Sequence, residues 1–301
     1  MTQLLKIGMI GLDTSHCELF ADLLNNPEHP FHVPGGRLTI AYPGGSDDFE
    51  LSRSRVGTYT KQLRDNFGVQ IAESMERVAE EADAILLTSV DGRVHQEQFA
   101  RIAPYRKPVF IDKPFAVSTE EARAITETAA KWQVPMFSCS SLRYTEPLVQ
   151  ALKETGGGAI IGADCSGPMP VEPPLPPLFW YGIHTVEALY AIMGKGCVSV
   201  SVRMNEDHEV IVGEWRDGRI GTARGNRKGS WAFGGLIHRE TAAQFVDLYA
   251  SPKPSLAGLL EAAMHMFRTG EQPVGTEEML EIVRFLEAAN ESRRTGETVF
   301  L

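Results

Sequence analysis

Residues 6–16 read KIGMIGLDTSH, and how this stretch is read decides the fold. An apolar run, LLKIGMIG, ends in glycine and passes at once into a helical pattern, HCELFADLL. That is the strand, turn and helix opening of a nucleotide-binding sheet. A dinucleotide fingerprint sets glycines in such a turn so that the backbone bends tightly, approaches a diphosphate closely and lets the helix pack on the strand. Here Gly11 keeps the first position, while Asp13 takes the second and His16 the third. Asp13 leaves two outcomes open. Either it caps the helix and repels a dinucleotide, or it turns aside while Thr14, Ser15 and the free helix amides bind the phosphate, with His16 as a further donor.

Working outward, RLTIAY, DAILLTSV, KPVFID and VPMFS continue the series of short apolar runs, separated by helical stretches such as EEARAITETAAKW. This alternation predicts a doubly wound parallel sheet covered on both faces over residues 1–141. Ser15 to Glu18 and Ser118 to Glu121 have the spacing of capping boxes. Beyond Ser141 the pattern changes. Val198–Arg203, His208–Trp215, Arg219–Arg224 and Trp231–His238 read as consecutive strands, with an Asp217-Gly218 turn between two of them. Residues 142–301 therefore form an α+β domain with an open, mostly antiparallel sheet and helices at Gly182–Met193, Leu256–Phe267 and Thr276–Arg293, the last of which can pack back on the first domain. Gly167–Pro177, GPMPVEPPLPP, cannot hold regular structure and reads as a stiff loop.

Composition narrows the function. Of 301 residues, 43% are hydrophobic and 23% charged, as in ordinary folded proteins, and 29 Lys and Arg against 39 Asp and Glu leave a formal charge of -10. Such a chain has no basic field for nucleic acid or anionic membranes. Neither a cleavable leader nor an apolar run of the roughly 18 residues that span a bilayer is read. Cys17, Cys139, Cys165 and Cys197 lack CxxC or metal spacing and read as reduced thiols, so the expected location is the cytoplasm. Asp13, His16, His95 and His184 come from distant segments without ligand spacing, and no metal site is expected.

Three segments, KIGMIGLDTSH, FIDKPFAVS and WYGIHTVEALYAIMG, together with the carboxy-terminal stretch from Thr269 to Leu301, resemble the glucose-fructose oxidoreductase, inositol dehydrogenase and rhizopine-catabolism (Gfo/Idh/MocA) family. The resemblance implies a Rossmann domain followed by an open-sheet α/β domain, NAD or NADP as cofactor, and oxidation or reduction of a sugar, polyol or related carbonyl compound in a homodimer or homotetramer. It places catalysis on Lys113, where the family's Glu-Lys-Pro reads Asp112-Lys113-Pro114, and on His184 of YGIHTVE.

The residues themselves support that chemistry. A lysine delivered to the carboxyl edge of a parallel sheet can hydrogen-bond a substrate oxygen and stabilise alkoxide character. His184 can take up the hydroxyl proton, with Glu187, three residues on, available to orient it. Arg143 of SSLRY, matching a family arginine near substrate, can pair with a carboxylate or phosphate, or serve as an ordinary ion pair between domains. Trp180 precedes His184 and is a further substrate candidate. Gly11, Leu12, Thr14, Ser15, His16, Ser46, Ser89 and Lys113 are the candidate cofactor contacts. His95, one helical segment after the fourth strand, resembles a family histidine and reads equally well as packing. Past RLTIAY, Ser46 with Arg53 or Arg55 suits the 2′-phosphate of NADP, whereas Asp47 or Asp48 suits NAD. The competing reading is a catalytically inactive ligand sensor or partner-binding protein of the same fold.

Overall fold

The computed structural model describes residues 4–301, which divide into two compact units. In chain order the elements are β1 (Leu5–Ile10), α1 (His16–Asn25), β2 (Gly36–Tyr42), α2 (Glu50–Arg53), α3 (Val56–Phe67), β3 (Gln70–Ile71), α4 (Met75–Glu81), β4 (Ala84–Leu87), α5 (His95–Ile102), β5 (Val109–Ile111), α6 (Thr119–Trp132) and β6 (Met136–Ser138). They continue with α7 (Glu146–Lys153), β7 (Ile160–Pro168), α8 (Gly182–Met193), β8 (Cys197–Met204), β9 (His208–Trp215), β10 (Ile220–Asn226), β11 (Gly234–Arg239) and β12 (Ala243–Asp247). The chain ends with α9 (Ser255–Thr269), α10 (Thr276–Thr295) and β13 (Val299–Phe300).

The first unit comprises the chain up to Ala116, Glu120–Cys139 and Leu256–Thr276, so α9 joins it from far along the sequence. Its six strands run in the order β3-β2-β1-β4-β5-β6, and every pairing is parallel. The order reverses between β1 and β4, the point at which such sheets bind ligands outside their carboxyl ends. Strands β4, β5 and β6 are buried throughout, as expected when helices cover both faces. Close helix approach is built into β1: a Cβ on Gly8 would lie 2.4 Å from Cγ1 of Val78 on α4. Beyond α9, the Gln272 side-chain amide donates to the Met136 carbonyl on β6 at 2.7 Å.

The second unit comprises Val117–Thr119, Ser140–Ser255 and Glu277–Leu301. Its seven strands run β12-β11-β7-β10-β9-β8-β13, with β7 and β10 parallel and the other pairs antiparallel. Fold class and the mostly antiparallel second sheet are as the sequence predicts. Helix α8 is buried along nearly its whole length, and its Tyr190 ring meets Phe285 of α10 edge-on at 5.6 Å and Trp215 of β9 at 5.6 Å. Burial alternates along β9, so one face of the sheet meets these helices. The other face carries Ile220, 53% exposed, and Phe245, 70% exposed.

Two expectations are corrected here. Gly167 and Pro168, read as part of a loop without regular structure, close β7 instead, because glycine there lets Phe233 and Thr185 lie against the strand. Ser15 stands at the start of α1 but makes no side-chain capping bond, so the Ser15 to Glu18 box is not formed. All four cysteines are free and buried. No helix among the described residues is long and apolar enough to cross a membrane.

Candidate active site

In the first unit the site is built at the carboxyl edge of the sheet. Gly11 leaves β1 with φ at +89°, and a Cβ there would lie 2.2 Å from Ser89 Oγ and 2.4 Å from Ser89 N. No side chain fits this turn, which is the physical demand the fingerprint glycine meets. The β2 exit packs against it: Gly11 N donates to Tyr42 O at 3.0 Å and Leu12 N to Pro43 O at 2.7 Å. Leu12 is thus a core residue whose amide is committed to Pro43.

Asp13 is fully buried and faces inward. Its carboxylate accepts from Ser52 Oγ at 2.6 Å and from the Val90 amide at 2.8 Å. Asp13 therefore turns aside and does not cap α1, which meets the first condition of the second outcome open in the sequence. Burial raises its carboxyl above the usual range, against the pull of the Ser52 and Val90 hydrogen bonds. Ser46 is buried too, its amide donating to Ser52 Oγ at 2.8 Å. Arg53 pairs with Glu50 on the surface. A residue that sequence reasoning missed reaches the β2 exit: Arg93, just after β4, binds Asp48 through two bonds of 2.9 Å and holds Asp91 at 2.8 Å. Ser89 donates to Gln98 Oε1 at 2.8 Å and acts as a strut beneath Gly11.

The β5 exit carries the reactive groups of this unit. Lys113 is only 8% exposed, and burial pulls its amine below the ordinary lysine range, partly offset by the charge of Asp112. The Asp112 carboxylate accepts from the Lys113 amide at 2.9 Å, and His16 Nδ1 lies 2.5 Å from its other oxygen. Burial alone would raise the Asp112 carboxyl, but the charge and hydrogen bond of His16, with Lys113 adding to them, hold it below the usual value. His95 is fully buried, with Nε2 2.9 Å from the Ser89 carbonyl and Nδ1 3.0 Å from that of Pro114. It joins the exits of β4 and β5, which is the packing role.

In the second unit, His184 lies in the first turn of α8, and its Nδ1 is 2.6 Å from Ser140 Oγ. The rings of Tyr181 at 5.3 Å and Phe233 at 6.0 Å meet it edge-on, and Trp180 lies tilted against Tyr181 at 5.8 Å. Glu187, expected to orient the histidine, is engaged by Arg143, whose guanidinium also lies 2.6 Å from Glu278. Arg143 is accordingly a buried counter-ion within this unit, where the sequence offered a substrate partner or an ion pair between domains. Burial raises the Glu187 carboxyl, opposed by Arg143. Ser140 had no sequence signal beyond its place after an apolar strand.

A doubly wound parallel sheet with a buried lysine at its carboxyl edge, in a chain whose other unit is an open mixed sheet, has the architecture of a Rossmann-type nucleotide-binding protein. Residues 54–139 match the Gfo/Idh/MocA family model, described as an oxidoreductase family with an NAD-binding Rossmann fold. The match spans the segment that bears Lys113 and bears out the resemblance, and with it the enzyme class and the nicotinamide cofactor. No curated protein matches the chain by sequence. Among solved structures, myo-inositol 2-dehydrogenase from Lactobacillus plantarum is similar at 15% identity and a TM-score of 0.83, over 99% of this chain and 100% of that one. Scyllo-inositol dehydrogenase from Lactobacillus casei, solved with NAD(H) and scyllo-inositol, gives 12% identity and 0.82 over 99% of each chain. A probable dehydrogenase from Thermotoga maritima gives 18% and 0.80 over 98% and 99%. At these identities the likeness is one of fold.

Proposed function

We propose that the protein transfers a hydride between a nicotinamide cofactor and a hydroxyl- or carbonyl-bearing carbon of a small sugar or polyol, as a cytoplasmic homo-oligomer. The observation that carries this reading is Lys113, a buried amine of lowered basicity at the exit of β5. A desolvated amine of this kind hydrogen-bonds a substrate oxygen and stabilises negative charge on it. His184 exchanges the hydroxyl proton through Nε2, because Nδ1 is engaged with Ser140 Oγ. Trp180 and Tyr181 supply apolar surface beside it.

The turn at Gly11 fits a dinucleotide, because its glycine leaves the backbone bare and Asp13 keeps its charge inside the protein. Thr14, Ser15 and the first amides of α1 would hold the diphosphate. When bound, the nicotinamide supplies the hydride acceptor or donor. The Asp48–Arg93–Asp91 bridge sums to one negative charge at the β2 exit and favours a free ribose 2′-hydroxyl over a 2′-phosphate. The inward turn of Asp13 also removes the main reason for the sensor reading, which rested on the altered glycine loop.

Calorimetric titration tests the cofactor. NAD+ is expected to bind at least ~10-fold tighter than NADP+, about 1.4 kcal/mol, and Asp48→Asn is expected to narrow the ratio. Chemistry is tested by NADH formation across a panel that includes myo-inositol and scyllo-inositol, the cyclic polyol named with one of the similar structures. Lys113→Met is expected to lower kcat on a responding substrate by on the order of 100-fold or more. Unchanged turnover would remove Lys113 from the mechanism.

A further inference from the structure

The fingerprint's third glycine exists so that helix and strand can approach, yet here that position carries a histidine whose ring reaches across to β5. His16 is anchored there on two sides. Its Nδ1 is 2.5 Å from Asp112 Oδ2, and its ring meets Phe20 of α1 edge-on at 5.9 Å. Asp112 is 3% exposed, and its other oxygen takes the amide proton of Lys113. A carboxylate so far from water is costly unless a cation or several donors answer it. The chain answers it from α1, through the residue that displaced the glycine.

We propose that His16 is a positioning residue for Lys113: by engaging Asp112 it fixes the strand exit that aims the amine. This rests on the reading of Lys113 as the substrate-facing amine, and it gives a reason for the altered fingerprint that does not depend on the cofactor. Asp112 of the same strand exit bears on Lys113, while His16 of α1 and Lys113 bear on Asp112. Two substitutions at the one position separate the roles. His16→Gln keeps a side-chain donor for Asp112 and so retains the aim of the amine, whereas His16→Leu fills the space beside Phe20 and leaves the carboxylate without that partner. A residue that only packed the helix against the sheet would tolerate leucine at least as well as glutamine.

The test is the pH dependence of Lys113 carbamylation by cyanate, a small reagent that attacks the unprotonated amine, followed by peptide mass spectrometry on the full chain. His16→Gln is expected to keep the Lys113 modification profile of the unaltered protein, and His16→Leu to change its rate several-fold or displace its midpoint. An unchanged profile in His16→Leu, or equal changes in both variants, overturns the proposal. Should His16→Leu unfold, His16→Met removes the donor with a more adaptable side chain and is read against the same expectation. Absence of NADH formation with every probe would sink the proposed activity while leaving the cyanate midpoints readable, so the two failures are distinct.

Discussion

Asp13 shows how far one side chain can depart from what its position suggests. A carboxylate in a phosphate-binding turn would repel its ligand, but this one is buried and receives Ser52 Oγ and the Val90 amide. Replacement by Asn leaves a carbonyl to accept one of these bonds and turns an amide toward the other donor. We expect Asp13→Asn to cost about 1–3 kcal/mol in chemical denaturation, the penalty for a buried unsatisfied group. The sign of its pH dependence follows from the raised carboxyl. A group whose folded pKa lies above its unfolded value stabilises most below the unfolded value of 3.8 and loses that contribution as pH rises through the folded value. The gap between the unaltered protein and Asp13→Asn should therefore be wider near pH 4 than near pH 7. A gap that grows with pH would contradict the assignment.

At the scale of elements, the β1 to α1 turn is the tightest constraint. With φ at +89° and Ser89 directly beneath it, Gly11 admits no side chain. Gly11→Ala is expected to destabilise by about 1–3 kcal/mol through backbone strain, lowering the thermal midpoint by several degrees, and to weaken NAD+ binding measured by calorimetry. A variant of unchanged stability would show that Ser89 yields. The strands of the first unit were legible because each is an apolar run bounded by polar turns, except β3, which has only two residues, Gln70 and Ile71, and no periodicity to display. In the second unit β8 to β11 were legible from alternation. Strand β7 was not, since its inward-facing positions are Ala163, Cys165 and Gly167, small side chains or none to mark the period, with the Phe233 ring taking up the space at Gly167. The interactions that define the site were less legible than its elements. Arg93 and Ser140 sit in short turns after strands, and nothing local distinguishes them from any exposed arginine or serine.

For the whole molecule, the open face of the seven-stranded sheet bears on assembly. Phe245 is 70% exposed and pairs in register with Leu236, beside Asp164, which binds His238 at 2.7 Å. In the homo-oligomer proposed above, we expect this face, where Ile220 and Phe245 lie exposed among Asp164 and His238, to meet a second copy of the chain. Phe245→Glu is expected to shift the sedimentation of the protein toward the monomer, and an unchanged mass would exclude this face.

The sequence by itself determined the doubly wound first unit, the open sheet of the second and the two segments bearing Lys113 and His184, because periodicity and short motifs are properties of neighbouring residues. Only the tertiary structure decided which way Asp13 faces, that Arg93 answers Asp48, that Ser140 and not Glu187 holds His184, and that His16 reaches Asp112. Each of those pairings joins residues at least 39 positions apart. Burial and charge compensation select such partners when the chain folds, and no local pattern encodes them.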